Sequence, residues 1–266
     1  MTIIAATLTA GFWAATTSLA WAGTVAVKSK TVEYTIGKDI FEGLFVYPQT
    51  SKGKVPGVLM VHNWLGISDE TKKQAERVAK LGVAVFAVDV YGKGVRASAA
   101  KEAMALAGKY KSDRKLFRER LLRGLEVLRE QKGVDGSAVV AVGYCFGGTG
   151  AIELARAGAD VKAVVSFHGG LDSPNPADGK NIKAKVVVFQ GADDPYVKAS
   201  DIAAFQSEMR SHGVDWQMTV YGGAVHSFTD VSAGSDVKTG AAYNEQADLR
   251  SFQAFTDLLN ALFPKR

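Results

Sequence analysis

The sequence predicts an α/β protein whose mostly parallel sheet is covered by helices on both faces. Three observations carry that expectation. From residue 31 onward, short apolar β-branched runs alternate with longer stretches of helical spacing, as parallel strands joined by crossover helices require. One run, SAVVAVGYC at 137–145, passes directly into GGTGAIELARAG, which reads as a strand, a sharp turn and a helix. Finally, 266 residues with 47% hydrophobic and 22% charged side chains have the composition of one globular domain with a substantial core.

The elements follow in order. TVEYTI (31–36) and IFEGLFVYP (40–48) read as two early strands, and GVLMVH (57–62) as a buried one. The loop NWLGIS leads into a helix over 69–81, and VAVFAVDV (83–90) is the next strand. A helical stretch spans 98–131, with leucines and Phe117 at helical spacing. After the strand ending at Cys145 and its helix, to about Arg156, come strands at 161–170, 182–191 and 215–223. Helices over 199–212 and 242–262 complete the pattern. The turn-rich LDSPNPADGK (171–180) is a surface loop, and no internal repeat or low-complexity linker divides the chain. In such sheets, the loops after the carboxyl ends of the strands build the site.

Charge excludes little. The net charge is +5, and the densest basic run, 109–130, reads as a surface helix with a solvated charged face. No aromatic residues interleave with its charges as single-strand nucleic-acid binding requires, so no nucleic-acid partner is expected. Residues 3–22 are uncharged and end in Ala20-Trp21-Ala22 before Gly23, the small-x-small pattern of a cleavage site. The expected organisation is a secretory signal at 1–22 and a single domain at 23–266. The mature chain would then be secreted or periplasmic and have no stable membrane partner. No Lys or Arg precedes Lys28, which leaves an uncleaved membrane anchor as the alternative.

The junction at 142–150, VGYCFGGTG, holds the chain's single cysteine. A Walker phosphate loop would need lysine where Thr149 stands, and a dinucleotide fingerprint would need glycine where Glu153 stands. What fits is Gly143-x-Cys145-x-Gly147, the nucleophile elbow of α/β-hydrolases with a thiol in place of serine. Its glycines allow strand and helix to converge around a strained residue.

A thiol nucleophile needs a base, and the base needs an orienting acid. Of the four histidines, His212 lies at a helix end, His168 follows a strand and could face the site, and His62 precedes the nucleophile. In α/β-hydrolases the order along the chain is nucleophile, acid, histidine. Only His226, in YGGAVHSF after the last strand, leaves room for an intervening acid. That acid should follow KVVVFQG, where Asp193 and Asp194 stand.

GYCFGG, GADDPYV and GGAVHSF, in this order, resemble the dienelactone hydrolase family of α/β-hydrolases over roughly residues 31–264. The resemblance implies the α/β-hydrolase fold, with Cys145 as nucleophile, His226 as base and Asp194 as the orienting carboxylate. It also implies an oxyanion hole from the backbone N–H groups of Phe146 and Trp64, the latter in VHNWLG. The expected reaction is cleavage of a small-molecule ester or lactone through an acyl-cysteine, with no metal or cofactor. Acyl transfer or thioester cleavage by the same triad, or a non-catalytic exported binding protein on the same scaffold, are the alternatives. Dienelactone-cleaving members carry glutamate where Asn63 stands and an arginine after the histidine, where this chain has Thr229 and Asp230. Asn63, with Lys93 and Arg96 of YGKGVRAS, are therefore candidate pocket residues.

Overall fold

The structure, a computed structural model, describes residues 25–49 and 53–264. The proposed signal segment lies outside them. β1 (Val27–Ile36) and β2 (Asp39–Pro48) form an antiparallel hairpin. β3 (Val55–Val61), α1 (Asp69–Ala79), β4 (Ala84–Val88), α2 (Ala100–Ser112) and α3 (Arg114–Glu130) follow. Then come β5 (Val134–Tyr144), α4 (Phe146–Arg156), β6 (Ala163–Phe167), β7 (Lys185–Gly191), α5 (Ala199–Ser211), β8 (Trp216–Tyr221) and α6 (Glu245–Leu262). The eight strands make one sheet in the order β1-β2-β4-β3-β5-β6-β7-β8, parallel from β4 onward.

The continuous apolar strands are explained by two cores. Because successive side chains point to opposite faces, Leu59, Val61, Val139, Ala141, Val186 and Val188 enter one core. Val58, Met60, Val140, Val142, Val187 and Phe189 enter the other. α2 to α5 cover the first face and α1 and α6 the second. Burying each of the Val, Leu, Met and Phe side chains contributes about 1.5–3 kcal/mol, so a one-residue register slip in any of these strands is opposed from both faces.

Two sequence expectations need correction. The helical stretch 98–131 is two helices, broken at Asp113, whose carboxylate accepts the Leu116 N–H at 2.9 Å and caps α3. The basic run across them is also not simply a solvated face. Arg114 and Arg120 are buried; Arg114 pairs with Asp172 at 2.5 Å, and Arg120 lies 4.4 Å over the Phe41 ring. The acidic and aromatic partners lie far away in sequence, which hid this from a local reading.

The site follows from the strand order. The chain leaves β3 for β4 on one side and returns to β5 on the other. Ligands bind at such a reversal, outside the carboxyl ends of the strands. Here those ends are the 62–65 loop and Cys145.

Candidate active site

β5 ends at Tyr144 and α4 begins at Phe146, so Cys145 alone reverses the chain, at φ 57° and ψ −118°. For a residue with a Cβ this left-handed conformation is strained. A Cβ on Gly143 would fall inside the Gly147 carbonyl, and one on Gly147 inside that of Val61. Only glycine permits strand and helix to converge there. The turn sets the thiol at the N-terminus of α4, with the Phe146 N–H against it, where the helix dipole favours negative charge.

His226 lies in the loop after β8, held by its N–H to Gly240 O at 3.1 Å and its carbonyl to Ala242 N–H at 3.0 Å. Its Nε2 is 3.0 Å from Cys145 Sγ and its Nδ1 is 2.8 Å from Asp194 Oδ2. Asp194, after β7, also accepts from the Tyr196 N–H at 2.9 Å and the Gln190 amide at 2.8 Å. An ionised carboxylate only accepts, so Nδ1 carries the proton between them and Nε2 faces the thiol. Neighbouring Asp193 is exposed and donates its backbone N–H to Ala224 O.

Burial alone would raise the Cys145 pKa and lower that of His226. In each case the partners outweigh it. The charge and hydrogen bond of His226, the Phe146 N–H and the Lys111 ammonium bring the thiol below its ordinary value. Cys145 and Asp194 push His226 up to about 10. Each group thus favours the charged form of the other.

His168 does face this site, in a different role from a base. Its Nδ1 accepts the Cys145 backbone N–H at 3.2 Å, and its Nε2 meets Thr229 Oγ1 at 2.8 Å. Burial and the nearby His226 charge hold its pKa well below the ordinary histidine value. It is therefore a neutral strut under Cys145, with its proton on Nε2.

Two cavities meet at Cys145. One, of about 420 Å³, is largely apolar and is lined by Trp64, Met104, Phe146, Tyr196 and Val197, with Lys111 as its cation. The other, of about 40 Å³, is mixed in character, with Met60 and Val61 beside Asn63, Glu70, His168 and Thr229. Trp64 borders both. Asn63 reaches the smaller one, but its Oδ1 accepts the Leu65 N–H at 2.9 Å, so its side chain closes the loop's own turn. Lys93 and Arg96 line neither cavity. Lys93 pairs with Glu33 on β1, and Arg96 donates to Ile67 O at 2.9 Å and Val95 O at 2.6 Å. Among the described residues, no three His, Cys, Asp or Glu side chains gather as a metal ion requires.

Sequence reasoning missed Gln190, Lys111 and Tyr196. Gln190 left a signal, a lone amide inside an apolar strand. Lys111 left none, because it is one lysine in a basic run.

A family model described as the dienelactone hydrolase family matches residues 41–263. A solved metagenomic protein described as a dienelactone hydrolase-like promiscuous phosphotriesterase is 39% identical, with a TM-score of 0.85 over 89% of this chain and 99% of that one. A second solved structure, m3DLH, is 37% identical, with a TM-score of 0.86 over 90% of this chain and 99% of its own. A putative carboxymethylenebutenolidase of Aquifex aeolicus is 27% identical over 187 residues, 68% of this chain and 80% of the relative.

Proposed function

This chain belongs to the dienelactone hydrolase family, and from that premise we propose that it cleaves carboxylic esters or lactones through a Cys145–His226–Asp194 triad. One observation carries the reading: the chain of contacts from Asp194 Oδ2 through His226 to Cys145 Sγ, at 2.8 and 3.0 Å, ends on a thiol at a helix N-terminus. The thiolate attacks the acyl carbonyl, and the oxyanion is received by the N–H groups of Phe146 and Trp64. The intermediate collapses as the His226 imidazolium gives its proton to the departing alkoxide, leaving a thioester. Water then gives a proton to neutral His226 and attacks the same carbonyl. Carboxylic acid leaves, and the thiolate–imidazolium pair returns.

The cavity of about 420 Å³ and its apolar lining suit an uncharged acyl or alkyl group. In place of the arginine of dienelactone-cleaving members stand Thr229 and Asp230, and Thr229 Oγ1 is committed to His168. Dienelactone itself is therefore not the proposed substrate. Phosphotriester cleavage at the same thiol is a second reading, favoured by the 39% identical relative. Attack at phosphorus would expel an aryloxide and leave a phosphorylated thiol for water to release.

The test is acid quenching during turnover of a p-nitrophenyl ester, followed by peptide mass analysis. An acyl group on the Cys145 peptide is expected, and Cys145→Ala should abolish both adduct and turnover. Turnover that survives Cys145→Ala rules the triad out. A phosphotriester with the same leaving group, run in parallel, decides the second reading.

A further inference from the structure

The 62–65 loop is held by more than its own turn. Val90 donates its backbone N–H to His62 Nε2 at 3.3 Å. A backbone amide can only donate, so Nε2 is unprotonated and the neutral ring bears its proton on Nδ1. That proton is donated to Asn63 O at 2.6 Å. The ring is fully enclosed, and burial, opposed by the Asn63 carbonyl and Asp89, lowers its pKa to about 4. It is therefore uncharged at neutral pH. One residue on, Tyr91 donates its hydroxyl to Trp64 O at 3.0 Å, and Tyr91 is itself anchored by its N–H to Asp89 Oδ1 at 3.1 Å.

Both carbonyls flanking the Trp64 N–H are thus tied to buried side chains. The N–H itself meets no acceptor among the described residues. In a trans peptide the C=O and N–H point in opposite directions, so fixing Asn63 O toward His62 fixes the Trp64 N–H away from it. A hydrogen bond accepted at the carbonyl also polarises the N–H of the same peptide. The same side chains reach the other donor. The His62 ring lies 5.9 Å from that of Phe146 at 23°, and Tyr91 lies 4.7 Å from His62 and 5.6 Å from Phe146.

We infer that His62 and Tyr91 are positioning residues of the oxyanion hole: they lock the Asn63–Trp64 peptide and register it against Phe146, so that two N–H groups converge on one oxygen. This inference rests on the reading of Cys145 as an acyl-transfer nucleophile. Both side chains are buried, and the role inferred for them is to hold the donors, not to transfer a proton.

The test separates steps that form an oxyanion from one that does not. Acylation by an ester needs the hole, whereas alkylation of the thiolate by iodoacetamide displaces iodide and forms no oxyanion. Loss of a whole oxyanion donor costs on the order of 100- to 1000-fold in kcat. His62→Phe keeps a flat ring against Phe146 but loses both hydrogen bonds. It should lower kcat for a p-nitrophenyl ester about 10- to 100-fold, with KM and the iodoacetamide rate unchanged. His62→Gln, with an amide donor and acceptor, should recover part of that loss. Tyr91→Phe deletes one hydroxyl and should cause a smaller kcat loss, about 3- to 10-fold, again without changing alkylation. Wild-type kcat in both His62→Phe and Tyr91→Phe overturns the inference. So does a parallel fall in alkylation, which would mean that the thiol rather than the hole was disturbed. Failure of the triad reading is a separate result, seen as ester turnover by Cys145→Ala.

Discussion

Cys145 and His226 share a proton, and each would be neutral if burial acted alone. Opposite charges favour the charged form of both, so the thiol should titrate below its ordinary value near 8.5. The iodoacetamide rate should therefore reach its plateau at a lower pH than that of a free thiol. His226→Ala deletes the main influence opposing burial and leaves the Phe146 N–H and Lys111, so the midpoint should move upward. An unchanged midpoint would show that the pair does not form. Asp194→Asn should cut ester turnover by about 10²- to 10⁴-fold by losing the tautomer that directs Nε2 to the thiol, whereas Asp193→Asn, at an exposed position, should leave it nearly intact. Steady-state rates of the two variants check the order. At this scale the sequence was informative, because chain order and strand ends are local facts. The role of His168 was not legible, since what it does depends on Thr229 and the Cys145 amide, brought to it only by folding.

The elbow helix α4 carries Cys145 at one end and is clamped at the other. Arg156, fully buried, donates to Glu153 Oε1 at 2.8 Å and to both Glu208 oxygens, at 2.9 and 2.6 Å. Its remaining donors reach the carbonyls of Asp172 and Leu171. The planar fork thus ties α4 to α5 and to the segment after β6. Arg156→Met would leave Glu208 buried without its cation, while Glu153 would keep Arg118 at 2.8 Å. Breaking such a pair typically costs about 3–5 kcal/mol, which lowers the melting temperature by roughly 10 °C or more. The double variant Arg156→Met, Glu208→Leu should recover most of the loss, because no unpaired charge remains. Thermal unfolding of the three proteins measures this; a double variant no more stable than the single one would mean that packing, not charge, is what Arg156 supplies. The strands were legible because their apolar runs are continuous. The break at Asp113 and the buried arginines were not: a helical period survives a one-residue cap, and an arginine's burial is decided by acids distant in sequence, such as Glu153 and Asp172.

Across the whole molecule, the reversal of strand order between β3 and β5 creates the crevice, and helix α2 closes one side of it. The larger cavity therefore combines Trp64, the 104–111 segment, Phe146, Tyr196 and His226, a set no local pattern could have assembled. Within it Lys111 is the only cation apart from His226. Its side chain is 43% exposed and its ammonium stands 4.0 Å from Asp172, whose other oxygen is held by Arg114 at 2.5 Å. A substrate carboxylate at that end of the cavity would compete with a loose partner rather than a tight one. Exposed ion pairs are worth about 0.2–1 kcal/mol, so the discrimination should be modest. Lys111→Met should lower kcat/KM about 2- to 5-fold for a p-nitrophenyl ester with a free distal carboxylate. A neutral ester of the same length should be unaffected. Measured on the same preparation, an equal fall for both esters would show that Lys111 acts through its charge on the Cys145 thiolate, and the iodoacetamide midpoint would then rise with it.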